Sequence, residues 1–271
     1  YKTLETQNAG ADGNNTAVGY FAGQALTTGV QNTLIGSLAG DALTTGYNNV
    51  AVGYGALTRE DVGRSSVAIG QGTLANQDTA TAADIYNTAV GHNAGTEVTT
   101  GVNNTLIGGL AGDALNTGDN NSVLGASALG AATKSDRNVA VGKDALTTLN
   151  HTTQTDSYNI AIGFQSGLVM TTGISNTIVG GLAGDALVDA DYNVALGQNA
   201  LGTDTYGSKT TAIGQGALYT QNFTTATDSY NTAVGYDAGA AVTTGTGNTL
   251  IGGLAGDALT EGNNNVAVGY N

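Results

Sequence analysis

One glycine recurs along the whole chain at spacings of 17, 17, 17 and 21 residues, after which the pattern begins again. Four units therefore make one cycle, and the segment NTLIGGLAGDAL at 104–115 returns two cycles later at 248–259. A short unit repeated this regularly predicts stacked coils, one unit per rung. The glycines are Gly19, Gly36, Gly53, Gly70, Gly91, Gly108, Gly125, Gly142, Gly163, Gly180, Gly197, Gly214, Gly235, Gly252 and Gly269.

The residues before each glycine favour a short β-strand. The position directly before it is Val, Ile or Leu in every unit, and the position two before it is Ala in ten units and Leu, Val or Ile in five. Small and β-branched residues suit strands, while 43 glycines in 271 residues disfavour helices. We therefore predict an all-β solenoid of about 15 rungs, each of 17–21 residues, with a four-rung super-repeat of 72 residues. We interpret residues 1–271 as a single repeat array, with an irregular lead-in at 1–13 and super-repeats at approximately 14–85, 86–157, 158–229 and 230–271.

Two further columns accompany the strand. Asn stands four residues before the glycine in thirteen units, with Ser66 and Thr210 as exceptions. Stacked Asn side chains can form a hydrogen-bonded ladder, or Asn can simply tolerate a turn, and the sequence leaves both interpretations open. A further apolar residue follows the glycine by seven positions in two units of each cycle and by four in the other two. We expect these residues, exemplified by Leu26, Leu43, Leu57 and Leu74, in the core.

Composition excludes several functions. The net charge is −14 with only seven Lys and Arg, which argues against a nucleic-acid groove and against an anionic membrane surface. The chain has no cysteine, which excludes disulfides and thiol catalysis. It starts at Tyr1 and stops just past a repeat glycine, so we expect a segment of a longer protein or a mature chain whose ends were removed.

The strand pattern predicts association between copies. In NNVAVG at 48–53, Val50 and Val52 point to one face and Ala51 to the other, so both faces are apolar. We expect the Val/Ile column to be buried inside one chain, which would leave the Ala/Leu column for a homo-oligomer interface. A ring of three is the smallest closed cyclic solution beyond a dimer. The predicted interface residues are Ala17, Leu34, Ala51, Leu106, Val123, Ile178 and Leu250.

No catalytic, metal or cofactor site emerges from the motifs. His92 and His151 lie in different units with no suitable partner, and GGLAG lacks the rest of a phosphate-binding loop. One Asp column could converge on an ion around a threefold axis, although a solvated turn carboxylate is the simpler interpretation; its members are Asp41, Asp113, Asp185 and Asp257. Ice binding needs Thr side chains that point outward in register. At the position three before the repeat glycine, Thr alternates with Val and Ile, which indicates burial. We therefore expect no enzyme and no cofactor.

Three longer loops, at 75–86, 147–158 and 219–230, vary most between cycles. Loops on a rigid scaffold often carry recognition, although these could merely lengthen a turn. The candidate surface-binding residues are Tyr86, His151, Tyr158, Phe223 and Tyr230.

The units SSVAIGQGTLA (65–75), RNVAVGKDAL (137–146) and NTAVGYFAG (15–23) resemble the head repeats of YadA-like trimeric autotransporter adhesins. The 17-residue unit, in which NTAVGY is followed by AL and TTG, also resembles arrays in phage tail-fibre proteins. The resemblance covers nearly the whole chain and implies a left-handed parallel β-roll with three chains around one axis. The adhesin head repeat is usually shorter than the unit found here, and the sequence does not separate a cell adhesin from a virion fibre.

We therefore expect a non-catalytic structural or adhesive fibre segment, extracellular and projecting from a cell or virion surface as a homotrimer. One alternative is a receptor- or glycan-binding head that uses the extended loops to contact a host surface glycan or matrix protein. A second alternative is a self-polymerising extracellular filament.

Overall fold

The chain folds entirely into short strands and turns within the part that the computed structural model describes, residues 2–10 and 12–271. It divides into two compact units, one of residues 1–136 and 152–154 and the other of residues 137–151 and 155–271. The predicted lead-in at 1–13 includes residues 1 and 11, which lie outside the described residues. In the rest of it, Thr3 Oγ1 and the Leu4 amide donate to the carbonyls of Gly19 and Ala22 on the first rung.

Each rung of the first unit contributes one three-residue strand to a parallel sheet. Thr16 pairs with Thr33, Ala17 with Leu34 and Val18 with Ile35, so equivalent residues stack directly above one another. The strands are β1 (Thr16–Val18), β2 (Thr33–Ile35), β3 (Val50–Val52), β4 (Val67–Ile69), β5 (Thr88–Val90), β6 (Thr105–Ile107) and β7 (Ser122–Leu124), followed by a two-residue strand, β8 (Ser135–Asp136).

The second unit repeats this arrangement. A short parallel pair, β14 with β16, also forms beside its last extended loop. The strands are β9 (Val139–Val141), β10 (Thr155–Asp156), β11 (Ile160–Ile162), β12 (Thr177–Val179), β13 (Val194–Leu196), β14 (Gly207–Ser208), β15 (Thr211–Ile213), β16 (Thr227–Asp228), β17 (Thr232–Val234), β18 (Thr249–Ile251) and β19 (Val266–Val268). The prediction of an all-β parallel solenoid of about fifteen rungs is confirmed.

The repeated glycine ends each strand in a conformation that other residues rarely adopt. Gly108 has a φ of +136°, and a Cβ added there would lie 2.5 Å from the carbonyl oxygen of Gly125 on the next rung. That carbonyl belongs to the stacked backbone and cannot move aside cheaply. Glycine is therefore required both by φ and by the close approach of successive rungs.

The direction of the two strand faces was predicted wrongly. The middle residue of each strand is buried inside the solenoid in thirteen rungs and half-buried at Ala17 and Ala267. The assignment of the Ala/Leu column to an interface is therefore wrong, because its side chains are enclosed by their own chain. The buried residues of that assignment are Leu34, Ala51, Leu106, Val123, Ile178 and Leu250, with Ala17 half-buried.

The narrow interior explains why the smaller column faces inward. A three-residue strand directs one side chain inside and two outside, and most rungs have room for only an Ala there. Leu34 fits because Gly40 lies against it, where a Cβ would come within 2.8 Å of Leu34 Cδ2. The predicted core residues Leu26, Leu43, Leu57 and Leu74 are fully buried, as expected.

The Asn column forms a hydrogen-bonded ladder, which is one of the two interpretations that the sequence left open. The Asn104 Oδ1 atom accepts from the backbone N–H of Asn121 at 3.0 Å and from its Nδ2 at 3.1 Å. Asn104 Nδ2 donates to the Gly118 carbonyl at 2.8 Å. The left-handed turn belongs to the preceding residue, Asn103, at φ +58°. The column therefore serves to hydrogen-bond successive rungs inside the solenoid rather than to supply the turn conformation.

Candidate functional site

Each unit has a sheet face on its outside with an apolar third-position column, which we call the outer sheet face. It consists of the first and third residues of every three-residue strand. None of the third-position residues is buried, and eight of them are exposed by 38–73% of their area. Those eight are Val18, Ile35, Ile69 and Leu124 in the first unit, and Ile162, Leu196, Ile251 and Val268 in the second.

The first-position column is also outward, so the expectation that its Thr residues are buried is wrong. Thr105 is exposed and Thr33 half-buried, while Ile160 is 37% exposed. The column still alternates Thr with Val and Ile, so the face lacks the uniform Thr array that ice binding needs. The apolar part of the face is therefore the third-position column, and exposed apolar patches of this kind are typical of interaction surfaces.

Aromatic residues border the outer sheet face. The residue directly after the repeat glycine is aromatic in several rungs, and these rings are 50–79% exposed. His92 occupies the same position and is exposed, as predicted for a surface residue. The exposed aromatic residues of this column are Tyr20, Tyr54, Phe164, Tyr236 and Tyr270.

The extended loops present only part of the predicted binding set. Tyr86, Tyr158 and Tyr230 are 53–60% exposed, each with φ between +50° and +54°. His151 and Phe223 are only 7% and 6% exposed, so their assignment to surface binding is wrong.

The extended loop folds back over the solenoid, which explains the burial of these two side chains. His151 Nε2 lies 3.1 Å from the Thr172 carbonyl, and the Phe223 amide donates to Asp204 Oδ1 at 3.1 Å. Thr79, which holds the same place as His151 one cycle earlier, is also buried. The side chain at this position therefore points into the interior in all three loops.

Cation clusters fasten the last residues of these loops in the second unit. Lys209 Nζ lies 2.5 Å from Asp228 Oδ2 and 5.3 Å from the centre of the Tyr230 ring. The hydrogen bond from Lys209 lowers the pKa of Asp228, and the bonds to Asp228 and Tyr230 raise the pKa of Lys209. Arg137 pairs with Asp156 and lies 5.6 Å from the Tyr158 ring. The loop tyrosines are thus held in place while remaining exposed.

A fully buried carboxylate organises the interior beneath the first extended loop. Glu60 Oε1 accepts from the backbone N–H groups of Gly63 and Val62 at 2.7 and 3.2 Å and from Thr79 Oγ1 at 2.9 Å. Glu60 Oε2 accepts from Gln77 Nε2 at 3.0 Å. Every donor is neutral, and Glu60 has no exposed area, so this carboxylate is structural rather than accessible to a substrate.

The Gln77 side chain bridges the first gap in the Asn ladder. Its Nε2 also donates to Ser66 Oγ at 3.1 Å, and its Oε1 accepts from Asn87 Nδ2 at 3.0 Å. Gln77 thus supplies the acceptor that an Asn at position 66 would have offered to Asn87.

The third extended loop has the same arrangement. Asp204 accepts from Gln221 Nε2 at 2.6 Å and from the Gly207 amide at 3.1 Å, and Gln221 bridges Thr210 Oγ1 and Asn231 Nδ2 at 3.2 and 2.8 Å. Our sequence prediction missed both carboxylates, although the breaks in the Asn column at Ser66 and Thr210 marked their places.

The Asp column offers no metal centre within one chain. Among the described residues, no group of three or more His, Cys, Asp or Glu side chains could hold a metal ion. Thr58 Oγ1 donates to Asp41 Oδ1 at 2.5 Å, whereas burial raises the pKa of Asp113 and Asp185. These carboxylates are therefore half-buried turn residues. Whether three copies converge on an ion stays a prediction.

No helix that could span a bilayer occurs among residues 2–10 and 12–271. The comparisons give no relative for the chain: no family model, no curated protein and no solved structure matches it.

Proposed function

We propose that the chain is a non-catalytic segment of an extracellular fibre on a cell or virion surface, in which three identical chains pack their outer sheet faces around one axis. The observation that carries this proposal is the outward apolar column on every rung. The proposed roll is left-handed, as the resemblance to trimeric adhesin heads implies.

The energetics favour a covered face. Strands of parallel sheets are normally buried on both faces, and here one face meets the solenoid interior while the other meets solvent. Covering each exposed Val, Ile or Leu contributes about 1 kcal/mol, since roughly half of each side chain is already buried. The many such residues along the array can together exceed the entropic cost of association.

The interior suits a mechanical role. Stacked Asn side chains and backbone hydrogen bonds join each rung to the next, as between Asn104 and Asn121. Few buried polar groups lack a hydrogen-bond partner within the chain, so the segment resists local opening and proteolysis. A stiff spacer of this kind projects an adhesive element without catalysing a reaction.

Light scattering tests the proposal. We expect a particle with three times the mass of the 26.8 kDa chain. Two charges on the outer sheet face, Ile69→Asp with Ile251→Asp, should give monomers with an unchanged β-type circular dichroism spectrum. The control is Thr100→Asp with Thr244→Asp, which places two charges at exposed positions off this face. A wild-type monomer at millimolar concentration would refute the proposal.

A second candidate function rests on the exposed loop tyrosines. Exposed aromatic rings stand at equivalent places of the loops, Tyr86 in the first unit and Tyr158 and Tyr230 in the second, and each offers a contact for a host glycan or matrix protein. The triple change to Asn suits their positive φ, because Asn103 already adopts that conformation. On an array of glycans and matrix proteins, the variant should lose binding while its mass stays constant. Undiminished binding would show that the loops are inert.

A further inference from the structure

A surface groove in the second unit has no counterpart in our sequence prediction. It encloses about 510 Å³. Its aromatic walls are Tyr219 and Tyr236, which are 43% and 56% exposed. Asp237 and Asp257 also line it, with the amides of Asn199 and Gln215. The lining contains two carboxylates and no cation.

Small residues create this groove. Ala240 and Ala241 form part of its lining, where the equivalent positions one cycle earlier hold Leu168 and Val169. One wall is Tyr219, whose counterpart in the preceding cycle is Thr147. Relative to the equivalent residues one cycle earlier, the groove has therefore lost bulk and gained a ring, and both changes favour a binding groove.

The carboxylate of Asp237 is also given its place by a glycine. Gly216 is buried with φ +66°, and a Cβ there would collide with Asp237 Oδ1. A hydrogen bond from the Tyr236 phenol to Asp237 raises the pKa of Tyr236 and holds the ring beside the carboxylate.

At the equivalent place in the preceding cycle, a lysine of the chain itself lies over the aromatic ring. Lys143 Nζ lies 5.7 Å from the centre of the Phe164 ring and 2.9 Å from Asp144 Oδ2. One cycle later Gln215 stands in place of Lys143 and Tyr236 in place of Phe164. Asp144 is replaced by Gly216, while Asp237 stands where the earlier cycle has Gln165, so a ring and a carboxylate are again present and the ammonium is gone. Lys209 lies against Tyr230 and Asp228 in the same way.

We propose that the groove at Tyr219, Tyr236, Asp237 and Asp257 binds a primary ammonium on an aliphatic stem, as a lysine side chain of a partner protein presents. An ammonium over a tyrosine ring and beside a carboxylate gains cation–π and charge-assisted hydrogen-bond energy. The stem packs against Ala240, Ala241 and Leu254. The net charge of −14 attracts such a ligand from solution.

Calorimetry and NMR titration of the whole chain test this inference with Nα-acetyl-lysine methylamide. We expect millimolar binding that weakens with salt, and at least a tenfold loss when the side-chain ammonium is acetylated. Cadaverine, a free diamine, should bind similarly. A lysine-containing peptide that binds more tightly than cadaverine would identify a protein as the source of the ammonium.

Three variants locate the site. Tyr236→Leu and Asp237→Asn should each weaken binding at least tenfold, while Tyr54→Leu, an exposed ring outside the groove, should leave it unchanged. Gln215→Lys should abolish binding by placing the chain's own ammonium over Tyr236, as Lys143 lies over Phe164, without unfolding the chain. Circular dichroism and light scattering on each variant separate loss of the site from loss of fold or of the proposed trimer.

The inference is overturned if the acetylated compound binds equally well or if Gln215→Lys leaves the affinity unchanged. It is also overturned if galactose or N-acetylglucosamine binds at this groove and the lysine compound does not.

Discussion

The interior beneath the first extended loop holds a buried carboxylate and a buried glutamine, whereas the interior beneath the second has alanine and leucine in their places. The first buries Glu60, Ser66 and Gln77, and the equivalent positions one cycle later hold Ala132, Asn138 and Leu149, also fully buried. The third loop returns to the polar set, with Asp204, Thr210 and Gln221.

The difference teaches that these interior residues are exchanged as a set. Where Asn138 continues the ladder, the loop inserts Leu149, which has no polar group to satisfy, and Ala132 suffices opposite. Where Ser66 interrupts the ladder, Gln77 replaces the missing amide, and Glu60 accepts from the amide of Gln77. A buried polar group is tolerated only with its partners, so no member of a set can change alone without cost.

The largest effect should come from Glu60→Ala. It leaves the Gly63 and Val62 amides and the Thr79 hydroxyl without their acceptor, and it leaves Gln77 Nε2 with Ser66 Oγ alone, so we expect a loss of about 3–5 kcal/mol in the free energy of unfolding. Urea titration of the variant measures it, with the exposed Glu261→Ala as control. A loss below about 1 kcal/mol would erase the distinction between the two interiors.

A somewhat smaller loss of folding stability should follow from Leu149→Gln. This change places the equivalent of Gln77 beneath the second extended loop. The buried amide lacks the carboxylate partner that Gln77 has, so we expect a loss of about 2–4 kcal/mol. The triple change Ala132→Glu, Asn138→Ser and Leu149→Gln supplies the partners. It should be more stable than Leu149→Gln alone, and greater instability of the triple variant would contradict the exchange of sets.

The reciprocal exchange sharpens the comparison further. Glu60→Ala with Ser66→Asn and Gln77→Leu gives the first interior the residues of the second and should be more stable than Glu60→Ala alone. The Gly63 and Val62 amides and the Thr79 hydroxyl still lack their acceptor, so the recovery should be partial. Thermal unfolding of this variant beside Glu60→Ala measures the recovery. Additive losses from the three changes would show that the residues act independently.

The smallest effect should come from the surface clusters, which occur over both kinds of interior. Lys209→Met and Arg137→Met each remove an exposed cation, and both should change the melting temperature only slightly and by similar amounts. Lys209 lowers the pKa of Asp228 in the folded state. The pair therefore contributes to folding stability above pH 3.8, the ordinary pKa of the carboxyl, and this contribution is lost as pH falls through the lower folded-state pKa.

Melting curves across pH test this small effect. The difference between wild type and Lys209→Met should vanish in strong acid. It should also decline as pH rises past the raised pKa of Lys209, where the ammonium loses its proton. A difference that grows in acid would contradict the assigned pair.

The sequence predicted the repeat, the required glycines and the core leucines, because each depends on a single column. It offered the Asn ladder as one of two interpretations of the Asn column. It failed on the facing of the strand, because alternation shows that Ala51 opposes Val50 and Val52 but not which side is inside. The small size of the Ala column was the available signal, since a narrow interior favours it.

The candidate sites were predicted less well, because they depend on how loops fold over the rungs. Burial of His151 and Phe223 follows from the loop path, which composition does not reveal. The Glu60 and Asp204 networks join residues on successive rungs, and the groove at Tyr236 joins four rungs. Comparing equivalent positions of the three cycles would have found both.

The central claim is that the middle strand column faces inward while the outer sheet face meets a second copy. The chain has no cysteine, so thiol labelling of Ala68→Cys and Ile69→Cys tests both halves of this claim. We predict that the thiol at position 69 reacts quickly in dilute protein and more slowly as concentration rises, while the thiol at 68 reacts only after unfolding. Rapid native labelling at position 68, or a rate at 69 that is independent of concentration, would contradict the account.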